Sequence, residues 1–184
     1  MQPLTTGQHR SRGRLAAVLI VVTLFETLQV IVNVSAYPLM GRMIAGGERL
    51  RAYKFATLAT SLVIVAGVVF YVPLVFLLDF LLRRYLPSYL EAATVIKLAV
   101  IVGMLRLADF YASYSVLLDR ERRLAIAGGI LLIVAIAAIT AARASGMIQF
   151  SPNRMMQISL TIAACAFAIN FTIATSAARH RATG

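Results

Sequence analysis

The sequence predicts an all-α fold, a polytopic membrane helix bundle of about five transmembrane helices. Three observations predict it. Of 184 residues, 60% are hydrophobic and 14% charged, with a mean hydropathy of +0.84. Soluble domains carry roughly 25% charged residues, so this chain has little polar surface to offer water. Five apolar segments recur, at about 15–40, 55–82, 93–118, 124–142 and 155–178, and each reaches the roughly 17–25 residues that a membrane span requires at 1.5 Å per residue. Lys and Arg fall almost entirely in the gaps between those segments, where membrane loops carry them.

Residues 1–14 form a polar tail with Arg10, Arg12 and Arg14, expected to be disordered. The bundle occupies 15–178, and a short basic tail, 179–184, follows. The first span closes at Gly46-Gly47, which can take up the left-handed backbone of a helix C-terminus. Pro73 lies inside the second span and should bend it. Ser88 and Glu91 make a capping box that starts the third helix after Pro87. Tyr85 and Tyr89 flank that connection at the depth of an aromatic belt. The fourth span, LAIAGGILLIVAIAAITAA, is free of charge and of any polar line, and its Gly128-Gly129 pair suggests close packing. Ser151-Pro152 supplies an N-cap and first-turn proline for the uncharged fifth span. A cleavable signal peptide is a poor reading of the N-terminus, because the apolar stretch is too long and Glu26 interrupts it.

The same composition excludes several functions. A net charge of +11 would suit nucleic acid only with a folded basic face bearing base-contacting residues, and no such face is legible. The lone Cys165 lies in an apolar run, His9 and His180 lie in the tails, and no phosphate-binding loop, GxGxxG or HExxH motif occurs. No catalytic, cofactor or metal site is therefore expected, and an enzyme is a poor reading because no His, Cys or carboxylate cluster converges at the bilayer boundary.

Alternating spans place the N-tail, the 83–92 loop and the 143–154 loop on one face, with Arg10, Arg12, Arg14, Arg83, Arg84, Arg143 and Arg154. The opposite face gathers Arg42, Arg49, Arg51, Lys54, Arg120, Arg122, Arg123, Arg179 and Arg181. Seven cations against nine favour a cytoplasmic C-terminus.

Two spans carry polar stripes. Thr23, Glu26, Gln29, Asn33 and Tyr37 fall within about 60° of one line on the first helix. Arg106, Asp109 and Ser113 share a face of the third, with Gly103 beside them. A charge at mid-bilayer costs roughly 2.5–3.5 kcal/mol on insertion scales, so such residues face a bundle interior or a cavity. Arg106 and Asp109 can neutralise each other as an i,i+3 ion pair; alternatively Glu26 and Arg106 line a wet cavity, Arg106 attracting an anionic substrate. Substrate-pathway candidates are Glu26, Gln29, Asn33, Arg106 and Asp109. Lys97 lies opposite the stripe and can snorkel, Asp79 is expected to pair with Arg83, Thr57, Thr60 and Ser61 suit ordinary helix–helix hydrogen bonds, and Met155 and Met156 read as apolar filler.

Three stretches carry a resemblance. One is a helix ending in Tyr37-Pro38-Leu39 before a short basic loop containing Gly46-Gly47-Glu48-Arg49. Another is a long apolar helix followed by Tyr85-Leu86-Pro87-Ser88-Tyr89-Leu90-Glu91-Ala92-Ala93. The third is a charged turn, Leu118-Asp119-Arg120-Glu121-Arg122-Arg123, before two plain hydrophobic helices. In this order the chain resembles the C-terminal part of polysaccharide flippases, the O-antigen and exopolysaccharide exporters of the multidrug/oligosaccharidyl-lipid/polysaccharide superfamily. The resemblance implies the C-terminal lobe of a MATE-like fold without its first helix, set in the cytoplasmic (inner) membrane. It also implies an undecaprenyl-pyrophosphate-linked glycan as the transported partner, and a missing N-terminal lobe or another membrane subunit as a protein partner, because such exporters rock one lobe against the other. A mid-span arginine suits a diphosphate, whose oxygens its planar fork can bind in pairs. Rival readings are a multidrug or peptidoglycan-precursor exporter fragment of the same superfamily and a membrane-embedded interaction subunit that transports nothing.

Overall fold

A computed structural model describes residues 6–85, 87, 90–145 and 151–179. Among them the chain is all-helical: α1 (Thr6–Ala45), α2 (Arg49–Tyr85), α3 (Leu90–Leu107), α4 (Phe110–Leu117), α5 (Glu121–Ala144) and α6 (Pro152–Arg179). Four helices are long and apolar enough to cross a membrane: α1 over Leu19–Ala45, α2, α5 and α6. The protein is accordingly a membrane protein. Its surface says the same, because Phe70, Phe76, Ile133 and many other large apolar side chains stand exposed. In water so broad an apolar surface would aggregate; against lipid it is the expected exterior, and helices satisfy their backbone groups internally there.

The termini follow local chemistry. At the end of α1, Glu48 N–H donates to Met43 C=O at 2.8 Å and Gly47 N–H to Ile44 C=O at 3.0 Å. Gly47 has φ +82°, the left-handed backbone that this paired closure demands and glycine adopts without penalty. At the start of α6, Ser151 Oγ, one residue ahead of Pro152, accepts from Arg154 N–H at 3.3 Å. Ser88 and Glu91, the expected capping box, and Tyr89 lie outside the described residues or their described side chains. One boundary differs from expectation: α1 already begins at Thr6, so much of the expected disordered tail is helical; it runs through Pro38 to Ala45 and closes at Gly46-Gly47 as expected. Helix α2 is continuous through Pro73.

The third expected span is not one helix. It breaks at Ala108–Asp109 into α3, of 18 residues, and α4, of 8. Neither is among the four spanning helices, so the count of five becomes four plus a broken central element. That element runs the length of the bundle. Antiparallel to α2, it places Lys97 against Asp79, Ala108 against Thr60 and Tyr114 against Arg49. Parallel to α1, it places Arg106 against Glu26 and Ser113 against Asn33. Helix α6 runs alongside in the same sense, with Asn170 at Asp109.

Packing around this element sets large side chains into small ones. Helix α4 supplies Phe110, Tyr111 and Tyr114, buried against Ala36 and Met40 of α1, Ala52 and Ala56 of α2, and Ala174 and Ala177 of α6. Small residues let helices approach closely in lipid, where apolar transfer contributes nothing to their association. The rings of Tyr53, Tyr111 and Tyr114 meet at centroid distances of 5.6–6.2 Å, and Tyr111 adds edge contacts to Phe167 and Phe171. Close packing was expected of the fourth span, and that expectation fails. α5 has no buried residue, and a Cβ on Gly128 or Gly129 would meet nothing within 4 Å.

Candidate functional site

The break between α3 and α4 organises the polar interior. Asp109 has φ −82° and ψ 64°, and Phe110 N–H donates to Ala108 C=O at 2.9 Å; together these are an inverse γ-turn. The Ala108 carbonyl takes a second bond, 2.8 Å, from the buried Thr60 hydroxyl of α2. A break inside a bundle is tolerable only when such freed groups find partners. Asp109 supplies the remainder: its Oδ1 accepts from Ala112 N–H at 3.2 Å, capping α4, and its Oδ2 accepts from Asn170 Nδ2 at 2.6 Å. Both carboxylate oxygens are thereby engaged in holding the turn and tying it to α6.

Asp109 therefore does not form the i,i+3 pair with Arg106 that its spacing allowed. The turn rotates α4 out of register with α3, so the two side chains part. Arg106, in the last turn of α3, faces Glu26 of α1 instead, with Nη1 to Oε1 at 3.8 Å. The contact is loose and open, with the side chains 55% and 58% exposed. A pair of this kind contributes roughly 0–1 kcal/mol in water. Its chief effect is to set one positive charge beside one negative charge, while most of the five guanidinium donors stay open.

Glu26 and Arg106 line a cavity of about 190 Å³ with Gln29, Phe25, Met156 and Ser159. Gly103 forms its floor on α3, close against the Phe25 ring, and any Cβ there would run into that ring. Met156, expected as filler, is thus part of the wall. Asn33, the next stripe residue, lies further along α1, where its Oδ1 accepts from Ser113 Oγ at 3.5 Å. Of the five expected pathway residues, Glu26, Gln29 and Arg106 share the cavity, whereas Asn33 and Asp109 sit in polar contacts that join helices. Thr23 and Tyr37, also on the stripe, are exposed.

Several contacts escaped the one-dimensional reading. Lys97 does not snorkel outward but bonds both oxygens of Asp79 at 2.8 Å, so Asp79 takes Lys97 as its partner rather than Arg83. Asn170 sits in a span that reads as plain apolar helix, yet it shares the buried face of Phe167, Ala174 and Ala177; that 3-4-3 spacing is its only signal. Tyr53 Oη and Thr175 Oγ1 are 3.0 Å apart. Because Thr175 already donates to Phe171 C=O, Tyr53 is the donor of the pair. Thr60 meets the expectation of a helix–helix bond, while Thr57 bonds Tyr53 C=O within its own helix.

A second and larger cavity, about 800 Å³, opens at the end of the bundle where the α1–α2 and α4–α5 turns meet the last turn of α6. No family model matches the chain, and neither a curated protein nor a solved structure does.

Proposed function

We propose that the chain is part of a flippase-type exporter that moves a lipid-linked oligosaccharide across the cytoplasmic membrane, with Glu26 and Arg106 on the substrate's route. One observation carries the reading: Arg106 stands next to a helix break, open to a cavity, with only a loose carboxylate partner. A structural charge inside a bundle is normally tied off, as Asp109 and Lys97 are here. Discontinuous helices beside a central cavity are also where membrane transporters hold anionic substrates. The guanidinium suits a diphosphate linkage, which its fork can hold in two parallel bonds. Glu26 limits the affinity by competing for the same donors, which favours release. In this reading the chain binds and passes its substrate without making or breaking a bond, and it works with further membrane helices.

The test is substrate binding by the full chain in lipid nanodiscs, with a fluorescent undecaprenyl-diphosphate-linked glycan. Arg106→Gln should weaken binding at least tenfold, and Arg106→Lys should retain part of it. Glu26→Gln should tighten it. Equal binding by wild type and Arg106→Gln, with both proteins monodisperse, would remove Arg106 from the route. A second reading, a non-transporting interaction subunit, draws on α5, whose residues are all unburied.

A further inference from the structure

We propose that the 800 Å³ cavity at the turn end of the bundle is a binding site for a phosphate group, separate from the Glu26–Arg106 cavity and independent of the transport reading. Its volume lies within the roughly 300–1,000 Å³ of small-ligand sites. Four guanidinium groups line it, from Arg49, Arg120, Arg122 and Arg123, against the single carboxylate of Asp119. Two further acids belong to this end: Glu48 is engaged by Arg51 at 2.9 Å, and Glu121 stands in the first turn of α5 outside the cavity lining.

Two further observations point to an anion. Arg120 Nη1 is buried and has no hydrogen-bond partner among the described residues. A buried, unsatisfied charged donor is costly, and an anion's oxygen is a partner that offsets the cost. Asp119 holds φ +56° because it closes α4 as Gly47 closes α1, its N–H donating to Val116 C=O at 3.0 Å and Arg120 N–H to Ser115 C=O at 3.1 Å. That closure sets Arg120, Arg122 and Arg123 along the cavity wall. Finally, Arg120 is the N-cap of α5 and no side chain caps that helix. Its first N–H groups and positive dipole end therefore add to the arginines. Opposing groups are the α6 C-terminus at Ala177 and Ala178 and the carboxylates of Asp119 and Glu121, and the four guanidinium charges still leave this end net positive. Basic pockets between helices at a membrane face suit phosphate head groups; a soluble phosphate has the same chemistry.

The experiment separates these sources. One arm measures retention of phosphatidylglycerol or cardiolipin by native mass spectrometry of the full chain released from detergent. The other titrates inorganic phosphate and pyrophosphate and reads thermal stability. Arg120→Gln and Arg122→Gln should each weaken the responding arm by roughly fivefold or more. Arg83→Gln/Arg84→Gln, removing two charges from the opposite end, should leave it unchanged. A response in the first arm alone assigns a lipid head group, and a response in the second assigns a soluble phosphate; both support the site. Equal losses from the control variant would mean diffuse surface attraction, and no response in either arm would mean no site. Either result overturns the proposal.

Discussion

Helix α5 and the α3–α4 element have similar lengths, 24 residues against 18 plus 8, and opposite fates. α5 is unbroken, keeps its charges (Glu121, Arg122, Arg123 and Arg143) at its two ends, and ends up with no buried residue. α3–α4 carries Lys97, Arg106 and Asp109, breaks in the middle, and lies at the centre with α1, α2 and α6 around it. A soluble protein would sort them the other way. In lipid a helix with no charge along its middle can lie outside, because the tails solvate it as well as any protein core does. Charges and loose carbonyls must go inside, where partners exist. Hydrophobicity in this chain therefore marks the periphery, and polarity with small residues marks the core.

That contrast can be broken by substitution, and the largest effect should come from the aromatic centre. Tyr114 is 1% exposed; Tyr114→Ala should cost about 3–5 kcal/mol, while Ile133→Ala on α5 should cost less than about 0.5 kcal/mol. Reversible unfolding in mixed micelles would read both, and similar losses would refute the inside–outside assignment. Next comes Asn170→Leu, which removes a bond to a charged group and leaves Asp109 Oδ2 without its donor. About 1.5–3 kcal/mol should be lost, together with hydrogen-exchange protection at the start of α4. The two glycine positions sharpen the comparison further. Gly103→Val meets the Phe25 ring and should lose about 1–3 kcal/mol, whereas Gly128→Val enters open space and should stay within about 0.5 kcal/mol. A large loss at Gly128 would reveal a helix seated on α5. Smallest of the losses expected inside the bundle is that of Thr60→Val, about 1 kcal/mol for one buried bond to the Ala108 carbonyl.

Much of the fold was legible because lipid imposes simple rules. Span lengths, the Gly46-Gly47 closure and the Ser151-Pro152 start all follow from local chemistry that needs no distant contact. So does the gathering of Arg49, Arg120, Arg122 and Arg123 at one end, which alternation of direction already requires. The stripe of Glu26 and Gln29 was legible too, since helical periodicity alone puts them on one face. The third segment was not. Nothing in Leu107-Ala108-Asp109-Phe110 forbids a continuous helix, and an i,i+3 pair between Arg106 and Asp109 would have fitted one. The break is stabilised by Thr60, 48 residues away, and by Asn170, 61 residues away, and partners so remote leave no periodic trace.

By itself, then, the sequence determined that this is a helical membrane protein, four of the five segments it marked as long and apolar enough to cross, and which residues cannot face lipid. Those properties depend on composition and on the 3.6-residue turn. Only the tertiary structure decided that Arg106 meets Glu26 while Asp109 ties α4 to α6, that Asp79 holds Lys97, and that Arg120 Nη1 is enclosed with no hydrogen-bond partner among the described residues. Each of these depends on distance between helices, and in a bundle that distance is set by how small residues on one helix receive large ones from another.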